Sequence, residues 1–259
     1  MKHMDADTII PFLQHLAQES SKVILPLFAN PDLQIDIKSD NSPVTYADLK
    51  AEEILRTLIE KEFPDHGIIG EEHEDVRTDA EYTWILDPID GTRSFAAGSP
   101  HFGTLICLQK NNSPIWSAIN ICALNQLFIG NNETAWCNQR PLRMRETPAL
   151  KDCFLLTTDP KSPGELHHPD GWNNLLQSTG QYRSWGDCFG YTLLANGTAD
   201  IMLDPILNLW DIAALIPVLR GAGATLSDWH GADPVGAKSL VAAHPRHHAK
   251  IIRLLNPEC

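Results

Sequence analysis

Apolar residues recur at three- and four-residue steps near the start of the chain. Ile9, Phe12, Leu13, Leu16, Ala17, Val23, Ile24 and Leu27 share one face of a helix predicted over residues 8–28, with Thr8 as its candidate cap. Ala47, Ala51, Ile54, Leu55, Leu58 and Ile59 repeat the pattern and predict a second helix over 46–62, ended by Pro64 and Gly67. Between them, Pro31, Asn41 and Pro43 mark a short strand and a loop over 31–44. From Gly67 onward the pattern changes to short apolar runs at 67–70, 82–86, 104–108, 115–122, 127–129 and 135–137, spaced like antiparallel strands of a meander. A turn-rich stretch at 138–152 separates an N-terminal lobe, 1–145, from a C-terminal lobe, 146–259, of a single domain. In the second lobe, strands predicted at 153–157, 200–203, 225–229 and 239–242 alternate with helices at 172–177, 189–196, 211–220 and 246–255. The mixture predicts an α/β (α+β) layered sandwich, with helices covering sheets.

Composition narrows the function classes. The 259 residues are 43% hydrophobic and 20% charged, enough apolar material for a core and too little charge for wholesale disorder. Lys and Arg number 20 against 33 Asp and Glu, a net charge of −13 that argues against nucleic acid or anionic membrane as partners. Apolar runs such as 23–29 are short and broken by Pro26, so no membrane span is expected, and the acidic start after Lys2 is unlike a secretory signal. The six cysteines, at 107, 122, 137, 153, 188 and 259, form no C-x-x-C pair and suggest a reducing cytoplasm. His167-His168 and His247-His248 lack acids at metal-ligand spacing and read as surface residues, and His101 lies near enough to the acids discussed next to flank them.

The densest chemistry lies at residues 70–92. Glu71-Glu72 follows one predicted strand, and Asp87-Pro88-Ile89-Asp90-Gly91-Thr92 follows another. Carboxylates converging at strand ends repel one another strongly unless they point into water or a cation sits among them. Oxygen ligands with no adjacent Cys or His favour Mg, Mn or Ca over zinc. Asp87 and Asp90, three apart around a Pro-fixed turn, can face one site, the Ile89 carbonyl adds an oxygen, and the free amides of Gly91-Thr92 can hold a phosphate. Each piece also has an ordinary reading. Glu71-Glu72 fits a solvated loop, Asp90-Gly91 a turn, Thr45 and Asp48 a capping pair, and Asp211 a helix cap.

With Asp48, Glu71-Glu72, Asp87-Pro88-Ile89-Asp90-Gly91-Thr92 and Trp210-Asp211-Ile212-Ala213-Ala214 in this order, the chain resembles the inositol monophosphatase superfamily of Mg2+-dependent, lithium-sensitive phosphatases, over about residues 38–231. The resemblance implies a phosphomonoesterase in which metal-activated water attacks a small-molecule phosphate ester directly. It implies Glu71, Asp87 and the Ile89 carbonyl on a first Mg2+, and Asp87, Asp90 and Asp211 on a second. Lys38, Asp48 and Glu72 would stand in the outer shell or near a third ion, and Mn2+ is an alternative metal. Glu71 and Thr92 would orient the water, with Asp48 completing the catalytic set, while Gly91 and Thr92 amides hold the phosphate. Arg93 would add phosphate attraction or remain a solvated surface arginine. The implied assembly is a cytoplasmic homodimer.

Within the superfamily the chain is most similar to the histidinol-phosphatase-like branch, on the stretches Asp87 to Phe95, Gly103 to Ile106, Thr157-Thr158, Arg183 to Cys188 and Gly221 to Trp229. That implies histidinol phosphate as substrate and a role in histidine biosynthesis. Asp187 would bind the substrate ammonium, or else cap the helix over 189–196. Asp204 falls where the family often has a Glu contacting the substrate, and with Asp211 it completes the implied substrate-binding set. An inositol phosphate, a nucleotide 3′-phosphate and a range of sugar phosphates are alternatives. A noncatalytic metal- or phosphate-binding regulator is a further one, against which Glu71 and Thr92 are both present.

Overall fold

The computed structural model describes residues 4–30, 34–37, 43–147 and 149–257; Lys38, Asn41 and Cys259 lie outside them. The chain opens with α1 (Ala6–Ile24), two residues earlier than the periodicity places it. Asp5 is the cap, and Thr8 supplies the N–H its carboxylate accepts. Pro26, which has no N–H, ends the helix in a 3-10 turn over Leu25–Leu27. Strands β1 (Ile35–Ile37) and β2 (Pro43–Thr45) pair antiparallel, and α2 (Tyr46–Glu62) follows with the predicted bounds.

Next come β3 (Gly67–Gly70), β4 (Tyr82–Asp90), α3 (Thr92–Ala96), β5 (Gly103–Lys110), β6 (Ser113–Ile121), β7 (Gln126–Gly130), β8 (Ala135–Cys137) and β9 (Arg140–Pro141). Strands β3 to β9 lie side by side in chain order in one seven-stranded sheet. The expected meander holds from β4 onward, whereas β3 runs parallel to β4. The second half contains β10 (Phe154–Leu156), α4 (Ser162–Leu166), α5 (Pro169–Ser178), β11 (Gln181–Arg183), α6 (Asp187–Ala195), β12 (Ile201–Asp204), α7 (Leu209–Ala213), α8 (Leu215–Gly221), β13 (Thr225–Ser227), β14 (Leu240–Ala243) and α9 (Pro245–Leu255). Its five strands are ordered β11-β10-β12-β14-β13. The single helix expected over 211–220 is two helices that meet at Ala214. Pro217 accounts for the break: it has no N–H for the Ala213 carbonyl four residues back, and its ring crowds that carbonyl.

Strand alternation builds the layers. On β4 and β5, Trp84, Leu86, Ile106 and Leu108 point into a core shared with α1 and α2, while Ile85, Leu105 and Cys107 point the other way. That second face packs on α6, α7 and α8, which also receive Leu156, Met202 and Ala242 from the smaller sheet. The outer face of the smaller sheet, with Leu155, Ile201, Leu203 and Val241, is covered by α5 and α9. The order of layers is therefore helix, sheet, helix, sheet, helix. The middle helical layer carries Asp211 and Asp187 to the large sheet.

His247 and His248 are not surface residues. They are 5% and 8% exposed at the start of α9, where His247 Nε2 lies 2.7 Å from the Thr147 carbonyl and His248 Nε2 lies 3.1 Å from Ser227 Oγ. The amphipathic turn of α9 faces the smaller sheet at those positions, and hydrogen bonds to a backbone carbonyl and to a serine hydroxyl make their burial tolerable. His167 stacks on Trp229 with ring centroids 4.4 Å apart.

Candidate active site

Parallel pairing places the C-terminal ends of β3 and β4 side by side. Gly70 is opposite Leu86, and the Glu71 N–H donates to the Leu86 carbonyl at 3.2 Å. Further along β4, Asp87 pairs with Leu105 and Asp90 with Gly103, so three steps on β4 match two on β5. The acid pair therefore sits on a β-bulge within a nine-residue strand, not on the Pro-fixed turn expected from the sequence. The bulge matters because residues three apart in a regular strand face opposite sides of a sheet. One inserted residue brings both carboxylates to the same side, and Thr104 Oγ1 holds the bulge by donating to the Pro88 carbonyl at 2.9 Å.

Asp211 reaches the same place from the first turn of α7. It is the acid of a capping box whose Oδ2 accepts the Asn208 N–H at 2.7 Å, so the capping role and the cluster role coexist. One oxygen each from Asp87, Asp90 and Asp211 lies within 4.8 Å of the others. Asp87 is 1% exposed, and its Oδ1 has no hydrogen-bond partner among the described residues. Burial, and then the charges of Glu71, Asp90, Asp211 and Asp48, push Asp87 well above the usual carboxylate range. Asp90 is raised likewise by burial and by Asp187 and Asp211, although its Oδ2 accepts the Cys188 N–H. Asp211 is pushed up to about 7, by burial first and then by Glu71 and Asp187.

The cradle beside the cluster begins at Gly91, whose φ of 87° is left-handed. A Cβ there would sit 2.8 Å from the His101 carbonyl and 2.9 Å from Asp187 Oδ2, so the close approach also requires glycine. Thr92 starts α3, and its Oγ1 lies 3.1 Å from the Ile89 carbonyl and 3.4 Å from Asp48 Oδ1. Asp48 is the third residue of α2, and its Oδ2 accepts from Thr45 N at 2.8 Å and Thr45 Oγ1 at 2.6 Å. Burial raises it to about 6 against the pull of those donors. A cavity of about 340 Å3 opens here, lined by Glu71, Gly91, Thr92, exposed Arg93, His101 and Asp187. His101 stacks on Phe189 at 4.2 Å and forms part of its wall.

Asp187 does not cap α6. Gly186 occupies the cap position, and Asp187 is the first helical residue, with a left-handed φ of 51°. Its N–H donates to Thr158 Oγ1 at 2.9 Å, and its Oδ2 accepts from Ser94 Oγ at 3.4 Å. Burial raises its carboxyl to about 6, eased by Ser94 and by the charge of Arg93. Behind it lies a second cavity, of about 200 Å3, with Thr158, Tyr191, Asp204 and Ile206 among its walls. Asp204 is 2% exposed and accepts from Thr157 Oγ1 at 3.1 Å, Thr158 N at 2.8 Å and Tyr191 OH at 3.1 Å. Burial still lifts it to about 7. Thr158 and Asp187 line both cavities and form the partition between them.

Comparison with known proteins supplies the family. The model of the inositol monophosphatase family matches residues 5–258. The chain belongs to that family. The match extends beyond the motif-bearing stretch to nearly the whole sequence. A histidinol-phosphatase from Chlorobaculum parvum is 35% identical over 88% of this chain and 89% of its own length. An inositol-1-monophosphatase from Rhizobium meliloti is 31% identical over 86% of this chain and 85% of its own. The solved structure of an inositol monophosphatase from Zymomonas mobilis superposes with a TM-score of 0.85 at 32% identity, covering 98% of this chain and 99% of that one. As a member of the inositol monophosphatase family, the chain is a phosphoric monoester hydrolase with the layered helix-and-sheet fold.

A divalent, oxygen-seeking cation suits the donor set of this phosphatase. The cluster offers three carboxylates, and one of their oxygens, Asp87 Oδ1, is buried without a donor from the protein among the described residues. Two groups escape a reading of the sequence. The Cys188 N–H on Asp90 is a backbone contact that no side-chain pattern announces. Glu52 and Arg56, one helical turn apart, resemble a solvent-exposed ion pair yet face inward, at 0% and 12% side-chain exposure.

Proposed function

We propose that the protein hydrolyses a small phosphate monoester with Mg2+, two or three ions, held by Asp87, Asp90, Asp211, Glu71 and the Ile89 carbonyl, with Mn2+ as a substitute. The bare Oδ1 of Asp87 within a buried group of like charges carries this reading. When bound, the cations supply positive charge that neutralises the phosphoryl and leaving oxygens and acidifies water. Glu71 orients the attacking water and takes its proton. Thr92 Oγ1 donates toward Asp48 or the Ile89 carbonyl, which turns its lone pairs to the same water. The Gly91 and Thr92 amides and Arg93 hold the phosphate. The two sheets with their shared helical layer act as one catalytic unit, and we further propose a cytoplasmic homodimer.

For the ester we propose histidinol phosphate. Support comes from the Chlorobaculum parvum relative and from the acids Asp187 and Asp204 in the walls of the inner cavity, a setting that suits an ammonium group. The Rhizobium meliloti relative favours a second reading, an inositol phosphate, whose hydroxyls would meet Thr158 and Tyr191 in the same cavity. A phosphate-release screen with Mg2+ over histidinol phosphate, inositol phosphates, nucleotide 3′-phosphates and sugar phosphates separates the two. The first reading predicts the highest kcat/KM for histidinol phosphate, and a preference for inositol phosphates would overturn it.

A further inference from the structure

Glu71 and Glu72 lie on a loop between β3 and β4, and a loop holds a catalytic side chain accurately only when something fixes its backbone. Here α2 supplies the fixture. The Glu52 carboxylate, with no solvent exposure, accepts the Glu72 N–H at 2.8 Å on Oε2 and the His73 N–H at 3.2 Å on Oε1. Arg56 Nε donates to the same Oε1 at 2.7 Å, and its two terminal nitrogens donate to the Glu74 carbonyl at 2.9 Å and the His73 carbonyl at 3.1 Å. The loop answers through His73, whose Nε2 lies 3.1 Å from the Leu49 carbonyl of α2. The last residue of β3 makes room for the device: a Cβ on Gly70 would lie 2.1 Å from Glu52 Oε1. Both N–H and C=O groups of the loop are thus gripped by one buried ion pair, which leaves the loop little freedom to turn.

We propose that Glu52 and Arg56 are positioning residues that hold the Glu71 loop in register with Asp87 on β4. The proposal rests on the reading of Glu71 as a cation ligand and water-orienting group. The carboxylate of Glu52 neutralises the guanidinium locally and draws on backbone amides, so the pair fixes Glu71 without adding net charge to the acid cluster. Its effect on the cations passes through Glu71, and that makes the two sites non-additive. Groups that orient a metal ligand from behind it typically account for roughly ten- to a hundredfold in metal affinity or activity.

The test is a double-mutant cycle read by Mg2+ calorimetry on the full chain, with steady-state kinetics alongside. Arg56→Met keeps the aliphatic stem and removes the carbonyl contacts. It is expected to weaken Mg2+ binding and lower kcat about tenfold. Arg56→Lys, which keeps the charge but cannot bridge two carbonyls, is expected to fall between it and wild type and serves where the Met variant does not fold. In a Glu71→Gln background, which itself loses Mg2+ affinity and activity, Arg56→Met is expected to change Mg2+ affinity less than about twofold. Equal losses in the two backgrounds, or wild-type Mg2+ affinity and kcat in both folded Arg56 variants, overturn the clamp. A Glu71→Gln protein with normal activity overturns the reading of Glu71 and the clamp with it, a result distinct from either of the others.

Discussion

Asp87 and Asp200 are both buried carboxylates, 1% and 2% exposed, yet the protein treats them in opposite ways. Asp200, just ahead of β12, is gripped by Arg145 through Nε at 2.8 Å and through a terminal nitrogen, by Thr147 Oγ1, and by the Phe154 N–H at 2.6 Å. Burial pushes its carboxyl up, but Arg145, Thr147 and the Phe154 amide outweigh burial and leave it below its ordinary value. Asp87 has an oxygen with no donor, and the neighbouring charges that push it upward are all carboxylates. The chain surrounds one buried carboxylate with donors and leaves an oxygen of the other without one among like charges, an arrangement that the proposed cation would complete. Asp204 stands between the two, with three donors and no cation among the described residues, which suits a wall held in place.

The largest effect expected from this contrast is at Asp90. Asp90→Asn removes a negative charge from the cluster and leaves the cores of the layers untouched. Mg2+-dependent phosphate release should fall at least roughly a hundredfold, the upper end of what loss of a group behind a ligand costs, while far-UV circular dichroism is unchanged. Full activity in that variant contradicts the cation assignment. On the other side of the comparison, Arg145→Met should leave Mg2+ affinity alone and destabilise the fold by about 2 kcal/mol. That is less than a fully buried pair would lose, because Arg145 is 42% exposed and Thr147 and the Phe154 amide still hold Asp200. Because the folded-state pKa of Asp200 is depressed, its stabilisation exists above the ordinary carboxylate value and is lost as pH falls through the lowered one. Urea melts of wild type and variant should therefore converge in acid, and a constant gap contradicts the account.

The acid cluster has the reverse sign. Asp211 rises from 3.8 to about 7, so above the ordinary value the metal-free fold binds more protons than the unfolded chain. Metal-free stability should then fall as pH rises across that window, and Asp211→Asn or added Mg2+ should flatten the curve. Melting temperatures with a chelator at a series of pH values measure this, and a flat wild-type curve contradicts it. The smallest effect is at the partition. Thr158→Val deletes the acceptor of the left-handed Asp187 N–H. Loss of one hydrogen bond, about 1 kcal/mol, should raise KM about fivefold with kcat nearly constant, and Thr158→Ser should restore it.

The parts legible in the sequence were those written in side-chain order. Glu71, Asp87 and Asp90 stand beside paired strands and Asp48 and Asp211 in the first turns of helices, an order visible in the side chains, and the periodicity at Ala47, Ala51, Leu55 and Ile59 places α2 at its true bounds. The parts that escaped depend on backbone geometry or on three-dimensional context. A bulge shifts register without changing residue types, so Asp87 and Asp90 read as a turn. A Glu and an Arg one helical turn apart read the same whether they face water or a loop, so nothing in the residue order marks Glu52 and Arg56. For Asp187 the sequence leaves a substrate contact and a helix cap both open, because neither its left-handed φ nor the bond from its N–H to Thr158, far off in the chain, is written in residue types. Helix α4 and strand β11 are too short, at five and three residues, for either period to show.

The most direct test of the central claim is calorimetric titration of Mg2+ into the metal-free protein, comparing wild type with Asp87→Asn. The account predicts that replacing the bare Oδ1 carboxylate weakens Mg2+ binding at least about tenfold, with the fold retained. Superimposable isotherms for the two proteins would contradict it.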